Sequence, residues 1–98
     1  MSFAGTQLEY AAAAHILTAP ILRNRTEPLL DPGRQSIDFD ALLLHSETWS
    51  RGEKLLVKAA LDMWNGCGEA TLGELISTLD SENLNRVLHA VAMRREHF

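Results

Sequence analysis

The sequence has little of what marks secreted, membrane-spanning or disordered proteins. Its single cysteine, Cys67, cannot form an internal disulfide, which is typical of a reducing compartment. No apolar run approaches the roughly 20 residues that a membrane-spanning helix needs, and the first residues lack the basic and apolar regions of a secretory signal. Because 46% of the residues are hydrophobic, a disordered chain is excluded. We expect one cytoplasmic domain over residues 1–98 that does not associate with a membrane.

The chain also has little excess charge of either sign. Its formal net charge is −4, from 9 basic and 13 acidic residues. Residues 1–50 carry three of the basic and six of the acidic side chains, whereas residues 51–98 carry six and seven, so the second half is nearly neutral. Nucleic-acid binding requires clustered lysine and arginine that neutralise phosphates. The composition therefore disfavours a nucleic-acid partner unless the basic contacts are local.

The residue types that carry catalysis or bind metals are scattered along the sequence. Zinc sites usually draw on three or four ligands with short local spacing. The four histidines have no such spacing and do not lie close to Cys67: His15, His45, His89 and His97. Cys67 follows a predicted helix end, where the negative end of the dipole disfavours a reactive thiolate. We therefore expect no metal site, no cofactor and no enzyme activity.

What the sequence does contain is a series of helix signals. Three Ser/Thr-x-x-Glu patterns predict capping boxes at helix starts: Thr6 with Glu9, Ser50 with Glu53, and Thr71 with Glu74. Apolar periodicity then predicts helices over 7–18, 39–46, 51–64, 72–79 and from 82 to near the C-terminus, with Asp38 as the cap of the second. No segment alternates with the period of a strand. These features predict an all-α fold with about five helices in a small bundle.

The predicted division of the chain is an N-terminal helix over residues 1–19, a Pro-rich arm over 20–37 and a helical core over 38–98. The arm contains all three prolines and shows no period, so we expect it to lack regular structure and to be a connector, a binding loop or an extended arm that lies over a neighbour. The first helix is alanine-rich and has two apolar stripes, one on Ala12 and Ile16 and the other on Ala13 and Leu17. It can pack within its own domain, or it can be shared with a second subunit in a homodimer.

Apolar spacing predicts which faces of the last two helices are buried. The core face of the 72–79 helix is predicted to comprise Leu72, Leu75, Ile76 and Leu79. The core face of the last helix is predicted to comprise Leu84, Val87, Leu88 and Val91. On the preceding helix Lys54, Lys58 and Asp62 lie on the outer side at intervals of four residues, which predicts a lysine–aspartate pair.

Residues 51–95 contain a long helix, a Gly-rich turn, a short helix opening with Thr71-Leu72-Gly73-Glu74-Leu75, and a longer helix. This order resembles the tri-helical helix-turn-helix unit of bacterial regulators. The resemblance implies that the last helix is a recognition helix whose N-terminal part enters the major groove of DNA. The DNA-contacting residues would then be those on its outer face: Asn83, Asn85, Arg86 and His89.

Aromatic and basic residues outside the predicted core favour a protein partner instead. Trp49 and Trp64 flank one helix, and tryptophan is enriched at protein interfaces. With the arm arginines and the last residue they form the predicted partner-binding set: Arg23, Arg25, Trp49, Trp64 and Phe98. We expect a small protein-interaction module, an adaptor or inhibitor, whose size and acidity are compatible with a phage or mobile-element origin. A DNA-binding regulator of helix-turn-helix type is the alternative.

Overall fold

The computed structural model describes residues 3–95, with side chains from Leu8 onward. Within that range the chain forms six α-helices and one two-stranded ribbon, so the predicted all-α class is confirmed. The helices are α1 (Phe3–Leu17), α2 (Arg23–Thr26), α3 (Phe39–His45), α4 (Arg51–Asn65), α5 (Leu72–Thr78) and α6 (Ser81–Arg95). No helix in the described part of the chain is long and apolar enough to span a membrane.

Local signals explain where most helices begin. The hydroxyls of Ser50 and Thr71 accept the backbone N–H groups of Glu53 and Glu74, and both glutamates accept the cap N–H in return. These two capping boxes confirm the predicted starts of α4 and α5. The prediction at Thr6 is wrong, because α1 already begins at Phe3 and Thr6 lies inside the helix, where backbone N–H groups have carbonyl partners and need no cap.

Helix α1 lies between α4 and α6 and runs antiparallel to α6. Glu9, early in α1, pairs with Arg94, late in α6, at 3.6 Å. At the other end Arg86 Nη1 donates to the carbonyl of His15 at 2.8 Å. Because Arg94 Nε also donates to the carbonyl of Met63 at 3.1 Å, the C-terminal ends of α4 and α6 lie side by side. At the other end, Leu79 just before α6 lies against Gly52 at the start of α4, so α4 and α6 run in the same direction and α5 belongs to the crossover between them.

The core is built around α1. Both predicted stripes of this helix are covered within the chain, and every side chain from residue 8 to residue 19 is at least partly buried. The helix contacts chiefly α4 and α6, and its small alanines allow those helices to approach closely. Four residues of α1 are fully buried: Ala12, Ala13, Ile16 and Leu17. Helix α1 thus packs within its own domain, and association with a second copy of the chain through this helix stays a prediction.

The arm has regular structure, contrary to the sequence-based expectation. After α2 it forms a 3₁₀ turn over Glu27–Leu29 and two antiparallel strands, β1 (Leu30–Asp31) and β2 (Ser36–Ile37). Leu30 pairs with Ile37, and Asp31 pairs with Ser36. Strands of two residues are too short to give a recognisable alternation, so the sequence did not predict them.

The arm is anchored to the end of α1 by two buried side chains. Leu22 and Thr26 are both fully buried. The Thr26 hydroxyl donates to the carbonyl of Leu17 at 2.6 Å, which is one of the carbonyls that a helix end leaves without an intrahelical partner. The segment is therefore a folded part of the domain at this point.

Candidate interaction surfaces

Helix α6 buries a face that overlaps the predicted one only in part: Val87 is buried as predicted, and Leu84 packs against the core. Its buried residues are Asn83, Val87 and Ala90. Asn83 and Ala90 each come one position before a residue that was predicted as core. Leu88 and Val91, predicted as core, are 48% and 43% exposed. A shift of one residue rotates the face by about 100°. The cause is non-local, because α1 packs against this side of α6.

This rotation changes the position of the four residues proposed to contact DNA. Asn83 is buried, and Arg86 donates to the His15 carbonyl of α1. The ring of His89 meets the ring of His15 edge-on, with centroids 4.9 Å apart. Asn85 is exposed. Three of the four therefore take part in contacts within the chain or are buried, and DNA binding through α6 stays a prediction.

The contact between α1 and α6 also affects the titration of His15. Burial lowers the pKa of this histidine below its ordinary value of 6.5 by disfavouring the charged form. The neighbouring positive charge of Arg86 and the ring of His89 lower the same pKa further. The neutral form of His15 is therefore the one that fits this contact.

Two of the predicted partner-binding residues form a cluster with the capping box of α4. The Arg25 guanidinium lies 4.4 Å from the centroid of the Trp49 ring. The same group donates to both carboxylate oxygens of Glu53, at 2.5 and 3.4 Å. The hydrogen bond from Arg25, and next the one from the backbone of Ser50, lower the pKa of Glu53 below its ordinary value of 4.5. This cluster joins the arm to the start of α4.

The described contacts of the cluster do not include Arg23 or Trp64. Arg23 is exposed. Trp64 is partly buried and tilts against Phe39 with ring centroids 6.0 Å apart. Phe98 lies outside the described residues. Partner binding by this set stays a prediction.

Helix α5 presents an uncharged outer face that we call the α5 surface, defined as Leu72, Gly73, Ile76 and Ser77. All four residues are exposed. Leu72 and Ile76 were predicted as core but are 68% and 66% exposed, whereas Leu75 is buried against the domain. A Cβ on Gly73 would meet no atom of the described residues within 4 Å. The α5 surface is thus open, apolar and one helical turn long.

A second feature lies between α4 and α5. A cavity of about 140 Å³ is lined by Arg51, Lys54, Leu55, Lys58 and Glu74, and we call it the α4–α5 cleft. The three cations occupy positions i, i+3 and i+7 of α4, which places them on one side of the helix. None of them forms an ion pair with any residue whose side chain the structure describes. Lys54 and Lys58 are exposed, as the sequence predicted, but the sequence did not predict that α5 lies beside them.

The predicted lysine–aspartate pair on α4 is replaced by a different contact of Asp62. Its carboxylate accepts the backbone N–H groups of Gly68 at 2.7 Å, Glu69 at 3.0 Å and Ala70 at 2.8 Å. Gly68 is pressed against α4 so tightly that a Cβ there would lie 1.9 Å from the carbonyl oxygen of Lys58. Asp62 and Gly68 together hold the turn that starts the crossover into α5.

Within residues 3–95 no three histidine, cysteine, aspartate or glutamate side chains are placed to hold a metal ion. Comparisons with protein-family models, with curated proteins and with solved structures found no match. The interpretation of function therefore depends on the surfaces described above.

Proposed function

We propose that the protein is a small interaction module, an adaptor or inhibitor, that acts by binding another protein through the α5 surface. The observation that carries the proposal is the exposure of Leu72 and Ile76 one turn apart on an uncharged helix face. Large apolar side chains exposed together mark protein contact sites more often than singly exposed ones do. The exposed cysteine, Cys67, supports action in a reducing compartment, which we take to be the cytoplasm.

The shape of the α5 surface favours a helix or strand of the partner as the contacting element. Gly73 lies between the two large side chains in sequence and has open space above it, so a partner backbone can approach closely there. The exposed apolar pair on α6, Leu88 and Val91, offers further area of the same character. Fully burying a leucine or isoleucine side chain contributes about 1.5–3 kcal/mol. With two-thirds of each side chain available, Leu72 and Ile76 together would contribute about 2–4 kcal/mol.

The test replaces the two apolar residues with lysine and follows partner capture. Leu72→Lys with Ile76→Lys should weaken binding at least tenfold, whereas Leu44→Lys on α3, which removes an equally exposed apolar side chain, should leave binding unchanged. All three positions are exposed, so the folded state should lose less than about 0.5 kcal/mol per substitution. Partner identity comes from a photo-crosslinking residue at position 77, analysed by mass spectrometry.

The outcomes separate the proposal from its competitors. A crosslinked protein that is lost with the double lysine variant and retained with Leu44→Lys supports the proposal. Equal loss with both variants would contradict it, because the α5 surface would then not be the contact. A crosslink to a second copy of this chain, with a dimer mass in light scattering that the double variant abolishes, would replace the partner protein with self-association.

A further inference from the structure

We propose that the α4–α5 cleft binds a compact multivalent oxyanion of the phosphate or pyrophosphate class. This inference does not depend on the α5 surface. Glu74 is two residues from both Leu72 and Ile76, so it lies on the opposite side of α5 from them at 100° per residue. The cleft and the α5 surface are therefore separate places on the same short helix.

The charge of the cleft selects an anion. Arg51, Lys54 and Lys58 supply three positive charges, and Glu74 supplies one negative charge. Along the axis of α4 the cations span only about 10 Å at 1.5 Å per residue. Like charges at that spacing repel one another, and no carboxylate among the described side chains pairs with them. An anion placed among them would remove that repulsion and gain charge-assisted hydrogen bonds.

Glu74 opposes an anion less than a free carboxylate would. Its Oε1 atom accepts from the backbone N–H of Thr71 at 3.4 Å and from the Thr71 hydroxyl at 3.3 Å. The carboxylate is thus held in the capping box of α5, and part of its charge is compensated by these donors. The remaining negative charge of Glu74 still repels an anion, so neutralising this side chain should strengthen anion binding.

The size of the cleft selects a small ligand. The cavity volume of about 140 Å³ is less than half of the 300–1,000 Å³ typical of drug-sized ligands. A ligand that fits the cleft is therefore compact, as phosphate and pyrophosphate are. Leu55, which is 4% exposed, supplies an apolar wall, so water is displaced from one side of the bound anion.

The overall charge disfavours a long polyanion in the same place. Screening limits the reach of a surface charge to about 8–10 Å at moderate salt. A small anion in the cleft therefore experiences mainly the three local cations, whereas a nucleic acid would extend over the rest of a chain whose net charge is −4. The geometry accordingly points to a phosphoryl group on a small molecule.

The experiment is a titration of the isotope-labelled full chain with sodium pyrophosphate, followed by amide chemical shifts at constant ionic strength with chloride as the balancing anion. We expect saturable shifts concentrated on residues 51–58 and 71–75. Lys54→Gln with Lys58→Gln should weaken binding at least tenfold. Glu74→Gln should tighten it severalfold, because glutamine also serves in a capping box and no longer repels the anion. Arg95→Gln, at an exposed cation on α6, should leave the affinity unchanged.

A second arm repeats the titration with ADP, which carries the same phosphoryl chemistry on a nucleoside. Equal affinity for ADP and pyrophosphate means that only the phosphoryl groups are recognised, and tighter binding of ADP means that the source is a nucleotide. Non-saturating shifts spread over all basic residues would overturn the proposal. So would weaker binding by Glu74→Gln with an unchanged melting temperature, or equal weakening by Arg95→Gln. None of these readings depends on capture of a protein partner.

Discussion

Removing the Asp62 carboxylate should destabilise the protein by about 2–3 kcal/mol. This carboxylate accepts hydrogen bonds from the backbone N–H groups of Gly68 at 2.7 Å and Ala70 at 2.8 Å, and both bonds are partly buried. Each such bond to a charged acceptor contributes about 1–2 kcal/mol. The Glu69 N–H is exposed, so water replaces its bond at little cost. Asp62→Ala recovers about 0.5 kcal/mol through the better helix propensity of alanine.

The measurement is urea unfolding followed by tryptophan fluorescence and by far-ultraviolet circular dichroism. The Asp62→Ala midpoint should fall with an unchanged dependence on urea, which identifies a change in stability rather than in the unfolded state. Asp62→Asn keeps one acceptor oxygen and should lose about half as much. Glu69→Gln removes a carboxylate from the same turn and should change stability by less than about 0.5 kcal/mol. If Asp62→Ala matched that control, the three hydrogen bonds would not be what holds the turn.

Three further predictions concern the packing of the arm, the crossover and the contact of α1 with α6. Thr26→Val should lower stability by about 1–2 kcal/mol, because the carbonyl at the end of α1 loses its donor, while Thr26→Ser keeps that donor and should lose less; thermal unfolding compares the two variants, and a Thr26→Val protein as stable as the original would contradict the role of this hydrogen bond. Gly68→Ala should cost about 1–3 kcal/mol or more in urea unfolding through overlap with the Lys58 carbonyl, and Gly73→Ala, in open space, should not destabilise. The pKa of His15 is lowered in the folded state, so its contribution to the free energy of unfolding is complete above about pH 6.5 and is lost as the pH falls through the pKa of the folded state. His15→Gln should therefore weaken the dependence of stability on pH between pH 7.5 and 5, and an unchanged pH dependence would contradict this reasoning.

The helix starts could be predicted from the sequence because their signals are local. Ser50 and Glu53, or Thr71 and Glu74, lie three residues apart, and the cap geometry involves no other part of the chain. The end of α4 has the same character, since Gly66 takes the left-handed conformation with φ 77° that ends a helix. These short-range features gave the correct fold class and the bounds of α4 to within one residue.

The buried faces of α5 and α6 could not be predicted in the same way. Apolar spacing identifies a stripe but not the neighbour that covers it, and on α6 the neighbour is α1, which lies far away in sequence. On α6 the polar residue Asn83 is buried while the apolar residue Leu88 is half exposed, so the polarity of the residues alone did not identify the whole buried face of this helix. The α5 surface appeared only when the structure showed which apolar residues α5 leaves uncovered.

The cluster of Arg25, Trp49 and Glu53 and the α4–α5 cleft both depend on contacts between residues far apart in the sequence. Arg25 and Trp49 were predicted separately, and their stacking, with Glu53 beside them, requires the arm to return to the start of α4. The basic row on α4 was visible in the sequence, but the cleft exists only because Glu74 of the next helix forms its other wall. The capping box of α5 correctly placed Glu74 near a helix start, but it carried no information about the neighbouring helix α4.

The position of α1 between α4 and α6 has a consequence for how the chain folds. The hydrogen bond from Arg86 to His15 closes a loop of 71 residues, and contacts of such separation slow folding relative to helical proteins with mainly local contacts. During synthesis α1 emerges first, yet one of its two apolar sides has no cover until α6 has been made. Helix α1 therefore precedes both of its covering helices in the chain and is fully enclosed only after α6 has joined it.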